Sequence, residues 1–247
     1  MLDDLRQEGC LKARFPRAER AAWPGAVLLN TAGGVAGGDR LTSAFYAGPG
    51  TAATLTTQAA ERFYRALPGS HAEVTTTLDV ADSAALEWLP QETILFDGCA
   101  FRRELRVTLA ENAWFLGLEQ LVFGRTAMQE RVNQGHIRDL IHIERNGHPL
   151  LHDAIRFEGA VQDVLDRPAS ANGGRAVATL ILVASNAAET VPVLRTALAP
   201  WEAGVSAWDG MVVARIVGQN GACLRAAIVA ALYVLRAGRP LPRVWEC

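Results

Sequence analysis

Cysteine is scarce and scattered in this chain. Cys10, Cys99, Cys223 and Cys247 form no C-x-x-C pair, so neither a zinc site nor a disulfide frame is signalled, and a reducing cytoplasm fits best. Long apolar runs are also missing. The stretch Ala226 to Leu235, bounded by Arg225 and Arg236, falls well short of the ~20 residues a membrane span needs and reads as a buried helix. Acidic residues follow Met1-Leu2 where a secretion signal would carry an apolar segment, so nothing there marks export. Neither charge sign dominates: 24 basic and 26 acidic residues give a net charge of −2, and no window concentrates Lys or Arg, so nucleic acid is not an expected partner.

Catalytic signatures are missing too. There is no G-x-S-x-G elbow, and no cysteine lies in a recognisable nucleophile setting. Glu87 and Glu92 are a carboxylate pair, but such pairs are common and spacing alone does not make a glycosidase. The strand-like Ala26 to Asn30 runs into Gly33-Gly34-Val35-Ala36-Gly37-Gly38-Asp39, which superficially looks like a phosphate loop. Val35 breaks the dinucleotide fingerprint, no Lys supplies a P-loop, and the following Leu41 to Tyr46 is β-like, so a tight turn is the better reading.

What remains is a sequence able to fold: half of its 247 residues are hydrophobic and 20% are charged. A chain of that length can bury roughly three quarters of its unfolded surface without disulfides or a structural metal. From Ala26 to about Phe123 the pattern is strand-like. Val74, Thr76, Leu78 and Val80 alternate with more polar neighbours, as do Leu105, Val107 and Leu109, and Glu111-Asn112 supplies a turn before the apolar Trp114 to Phe123. Ile137 to Arg145, Asn146-Gly147 and His148 to Phe157 read as a hairpin with a type I′ turn. An unbroken register places Arg145 opposite His148, Ile143 opposite Leu150 and Ile141 opposite His152, leaving His142 on the other face. His148 and His152 are then ~13 Å apart along one strand. No tight histidine site is expected from that arrangement.

A polar stretch near residues 166–175 is the one candidate internal boundary, and the simplest organisation is a single domain over residues 1–247. Beyond it, Ala176 to Ser185 and Met211 to Val217 read as strands. Glu189 to Leu198 and Gln219 to Leu235 read as helices, ended by Pro200 and by Gly238 with Pro240.

Several segments resemble the urease accessory protein family UreD, also called UreH. They are Leu29 to Asp39 with its doubled glycine pairs, Thr56-Thr57-Gln58-Ala59-Ala60 with Tyr64-Arg65, Leu86 to Ile94, Gly124-Arg125 with Met128 and Glu130, and the closing Pro242-Arg243-Val244-Trp245. They follow the family's order across nearly the whole chain. Two features depart from the pattern. The family usually carries an additional stretch before the segment resembling Leu5 to Pro16, so the resemblance implies a chain that is truncated or starts late, and Gln129 stands where the family usually has glycine.

The resemblance implies a mainly β fold of layered, β-helix-like strands in one domain, with two helices in the C-terminal third. It implies a cytoplasmic scaffold rather than an enzyme. Such a scaffold docks on apo-urease, binds a UreF-type accessory protein, receives through it a UreG-type GTPase, and passes nickel along an internal polar path with no tightly bound cofactor. Asp39, Glu119 and Asp153 match family positions for such a path. Scattered carboxylates suit an ion in transit, since imidazole or thiolate clusters would hold nickel tightly. Each of the three acids has a plainer reading as a buried carboxylate paired with an arginine such as Arg125, or as an exposed one. Two other functions stay open on the residues alone: a hydrolase of a small substrate using carboxylates as acid and base, and a β adaptor with no metal role.

Overall fold

The structure is a computed structural model, and it describes residues 2–17, 22–125 and 128–246. The chain winds through two sheets in successive coils. β1 (Leu11–Arg14) pairs antiparallel with β2 (Gly25–Asn30), and the chain then crosses to β3 (Arg40–Ala47) in the second sheet. The next coil is β4 (Ala52–Thr57), β5 (Glu61–Phe63) and β6 (Ala72–Val80), and the third is β7 (Ala85–Leu89), β8 (Thr93–Leu95) and β9 (Cys99–Leu109). The fourth joins β10 (Trp114–Phe123) to β11 (Gln134–Arg145). Corresponding strands of neighbouring coils pair in parallel: β2 with β4, β4 with β7 and β7 with β10 in the first sheet, and β3, β6, β9 and β11 in order in the second. This is the layered, β-helix-like arrangement that the resemblance implied.

The coil pattern then stops. β12 (His148–Ala160) turns back antiparallel on β11 through Asn146 and Gly147, whose φ angles of 50° and 72° are those of a type I′ turn. A short helix α1 (Val161–Leu165) leads into β13 (Ala176–Val183), which pairs antiparallel with β10, so the first sheet continues past the loop at 166–175. α2 (Val191–Leu198), the edge strand β14 (Glu202–Trp208), β15 (Met211–Gly218) and α3 (Gly221–Leu235) complete the fold. α1 and β14 were not legible in the sequence. α1 is a five-residue helix with no side-chain cap, and β14 has a single buried residue, Val205.

α3 forms because Leu224, Ala227, Ile228, Ala231, Leu232 and Leu235 recur at helical spacing and are all buried against the outer face of the first sheet. Asn220 caps it by accepting from the Cys223 backbone N–H at 2.9 Å. The glycine turn packs against the second coil. A side chain at Gly34, where φ is 148°, would come within 2.4 Å of the Tyr64 ring, and the Tyr64 hydroxyl donates to the Gly33 carbonyl at 2.9 Å. Gln129 has a φ of 54°, the left-handed conformation that explains why glycine suits that position.

Between the sheets lie two separate apolar clusters. One contains Leu105, Phe115, Ile141 and Val213, the other Phe101, Leu121, Phe123 and Ile137. On β9, β10 and β11 alike the inward-facing row passes from one cluster to the other through a charged residue: Arg103, Glu119 and Asp139.

A polar layer between the sheets as candidate functional site

The charged residues that separate the clusters belong to one layer crossing the stack. Half-buried Asn30 of β2 donates to Glu61 of β5 at 3.0 Å, and the Glu61 charge reaches Arg103 of β9. Arg103 grips Asp139 of β11 with two hydrogen bonds of 2.8 and 2.7 Å, and donates to Thr93 of β8 at 2.7 Å. Glu119 of β10 accepts from the Trp88 indole N–H at 2.8 Å. Its second oxygen lies 2.8 Å from an Arg103 nitrogen, yet receives no directed hydrogen bond. The guanidinium is committed to Asp139 and Thr93, so the contact with Glu119 is one of charge rather than of aligned N–H and lone pair.

Beside Glu119 is a small, largely enclosed cavity of about 10 Å³, lined by Glu119, Asp139, Asp153 and Thr179 with Leu121, Ile141, Ile155 and Val177. It has space for about one water molecule. Asp153 of β12 marks its outer side: this carboxylate is mostly buried and takes a hydrogen bond of 2.7 Å from Arg215 of β15, which is half exposed. Three carboxylates therefore line the space, two of them held by guanidinium groups, Asp139 by Arg103 and Asp153 by Arg215.

Burial dominates the electrostatics of Glu119. Burial raises the Glu119 carboxyl above its ordinary value and Asp139 reinforces the rise, while Arg103 and the Trp88 hydrogen bond pull against it. Burial opposes the charge on Arg103 as well, but the carboxylates of Asp139 and Glu119 outweigh it and raise its pKa. Glu119 is thus a buried acid whose charge is only partly compensated, and it opens onto space for water.

Of the three acids expected on a path, the structure brings Glu119 and Asp153 to the same cavity. Asp39 does not line it. It is exposed at the start of β3, and its carboxylate accepts from the Ala36 backbone N–H at 2.8 Å, which closes the glycine turn. Arg125 is not the partner of Glu119; it pairs with Glu130 at 2.6 Å and lies over the Phe96 ring. Sequence reasoning missed Arg103, Asp139, Thr179 and Arg215. The signal was present, since Arg103 falls in phase with Phe101, Leu105 and Val107, Asp139 with Ile137 and Ile141, and Arg215 with Val213 and Val217. A charge on the apolar phase of a strand lies on the same side of the sheet as its apolar neighbours, which buries Arg103 and Asp139 while Arg215, towards the sheet edge, stays half exposed.

The hairpin register requires a correction. Arg145 does face His148, but an irregularity between Ile143 and Glu144 shifts the pairing by one, so Ile143 faces Leu151 and Ile141 faces Asp153. His142 therefore sits directly opposite His152 on the outer face of the second sheet, with their Nδ1 atoms 2.9 Å apart. Among the described residues, no group of three or more His, Cys, Asp or Glu side chains is placed to hold a metal ion.

A second buried carboxylate, Glu87 of β7, belongs to the opposite face of the first sheet. Arg236, at the end of α3, donates to both of its oxygens at 2.9 Å, Arg239 adds a bond of 2.8 Å and Thr54 one of 2.6 Å. Burial pushes the Glu87 carboxyl up, but these donors outweigh it and hold the group below the usual range. Gln91 and Arg225 bind the Trp245 segment nearby.

Comparison with known proteins gives the family. Residues 1–246 match the family described as UreD urease accessory protein. The chain is 44% identical over 245 residues to the urease accessory protein UreD of Ruegeria pomeroyi, covering 99% of this chain and 94% of the relative. It is 43% identical over 247 residues to UreD 1 of Bradyrhizobium sp. (strain ORS 278), covering 98% and 86%, and 44% identical over 252 residues to UreD of Methylobacterium sp. (strain 4-46), covering 99% and 88%. The chain therefore belongs to the UreD family of urease accessory proteins, whose part lies in urease maturation rather than in catalysis.

Proposed function

We propose that this protein is a cytoplasmic scaffold that docks on apo-urease together with a UreF-type partner and, through it, a UreG-type GTPase, and that nickel passes through the polar layer between its sheets. The observation that carries the reading is the layer itself. Strands β2, β5, β8, β9, β10 and β11 each contribute a polar or charged group to one layer of an otherwise apolar interior, and Glu119, Asp139 and Asp153 line a cavity beside it. Buried charge is costly, and fully paired charge is the arrangement that stability alone favours. An oxygen without a directed donor, next to room for water, is what an exchangeable ligand for a divalent ion requires.

The donor set suits cargo. Carboxylate, hydroxyl and water oxygens bind nickel(II) less tightly than imidazole or thiolate does, so an ion can enter and leave. Glu119 and Asp153 are the interior stops in this reading, and Asp39, at the surface, is an outer one. A hydrolase is disfavoured by the same geometry, because a cavity of about 10 Å³ admits a water or an ion but not an organic substrate. Among the described residues, no helix is long and apolar enough to cross a membrane.

The test is reconstitution. Mixed with a UreF-type protein, the chain should elute as a defined complex, and adding it to apo-urease, the GTPase, GTP and nickel should raise urease activity. A chain that ignores the partner on sizing, or that leaves activation unchanged, contradicts the proposal.

A further inference from the structure

We infer that His142 and His152 form a two-histidine docking site for a divalent transition ion of the nickel or copper kind, on the outer face of the second sheet and separate from the interior layer. Three observations lead there. First, the irregularity in the β11–β12 hairpin places the two rings directly opposite each other, 4.2 Å between centroids, with both Nδ1 atoms facing at 2.9 Å. With metal–nitrogen bonds of about 2.0–2.1 Å, nitrogens that far apart subtend an angle of about 90° at a shared ion. That is the cis angle of square-planar or octahedral coordination, which nickel(II) and copper(II) adopt, rather than the wider tetrahedral angle of structural zinc.

Second, Glu104 Oε1 lies 3.4 Å from His142 Nε2. A carboxylate there favours a proton on Nε2 and leaves the Nδ1 lone pair for the ion, the arrangement in which a carboxylate orients a metal-bound imidazole. Glu104 is itself fixed by Arg106 Nε at 2.9 Å and Arg102 Nη2 at 3.3 Å. Third, the site is open: His152 is exposed and His142 is partly so, which leaves the remaining positions to water. The two guanidinium groups oppose a cation, so the site is weak and exchangeable. Without an ion, the same approach is a simple hydrogen bond between the rings, with one Nδ1 donating to the other.

Equilibrium dialysis of the full chain against nickel(II) alone, and the electron paramagnetic resonance spectrum with copper(II) alone, test this inference. One ion per chain with a two-nitrogen copper signature is expected. His152→Ala and His142→Ala should each remove the signature, while His71, His136 and His148 remain as internal controls. Glu104→Gln should weaken binding about 10-fold and leave the two-nitrogen signature intact. The exposed His152 and the partly exposed His142 can be replaced without opening the core, and Glu104→Gln keeps the size of the buried side chain and an acceptor for Arg106. Glu119→Gln should leave this binding unchanged, which separates the surface pair from the interior path. Absence of binding, or equal binding by the double His142→Ala/His152→Ala variant, overturns the inference.

Discussion

Glu87 and Glu119 are buried carboxylates on the two faces of one sheet, each beside arginine, and their surroundings differ in the respect that matters. Glu87 is fully enclosed and receives bonds from Arg236, Arg239 and Thr54. Glu119 has one directed bond from Trp88, an oxygen without a donor, and a cavity. The first is a clasp that ties the end of α3 to the coil stack. The second is a charge the interior tolerates without satisfying. Proximity to arginine is therefore not what distinguishes a structural acid from a functional one; completeness of the hydrogen bonding is.

The largest expected effect comes from breaking the clasp. Glu87→Ala leaves the buried Arg236 without a counter-charge, with only the Arg239 and Pro240 carbonyls as acceptors, and should cost ~3–5 kcal/mol in chemical denaturation, with urease activation falling only in proportion to the folded fraction. Glu119→Gln keeps an acceptor for the Trp88 indole and leaves Arg103 held by Asp139, so it should change stability by about 1 kcal/mol or less.

Dependence on pH sharpens the contrast, because the two groups shift in opposite directions. The Glu87 carboxyl is held below its ordinary value of 4.5, so its contribution is present above pH 4.5 and is lost as pH falls through the folded value. The Glu119 carboxyl lies above 4.5, so its contribution is present below pH 4.5 and is lost as pH rises toward the folded value. Denaturation across a pH series should show Glu87→Gln removing part of the acid-side loss and Glu119→Gln flattening the decline on the neutral side. Parallel profiles for the two variants would dissolve the distinction. The smallest effect is expected at the surface: Asp39→Ala removes an acceptor from one exposed turn N–H and should cost about 0.5–1 kcal/mol in the same assay, with partner binding intact.

Much of the fold was legible because strand periodicity and turn chemistry are local. The alternation through Val74 to Val80 and Leu105 to Leu109, the Asn146-Gly147 turn and the spacing along α3 all appear where the pattern put them. The histidine pair was not legible, since one irregularity after Ile143 reverses which residues share a face, and no residue type announces it. The candidate site was half legible. Glu119 and Asp153 were marked as acids in apolar surroundings, but Arg103 reads beside Arg102 as ordinary surface charge until its phase is compared with Phe101 and Leu105. That Arg103, Asp139 and Glu119 meet depends on strands from different coils lying at one level, a relation set by the winding of the chain rather than by any one segment.

The most direct test of the interior path sets activation against folding for Glu119→Gln. Urease activation in the reconstituted mixture should fall at least about 10-fold, while the melting temperature and the assembled complex stay close to those of the unaltered chain, since about 1.4 kcal/mol added to a barrier already gives a tenfold loss. Full activation by that variant, or a loss that merely follows the amount of folded protein, would contradict the account.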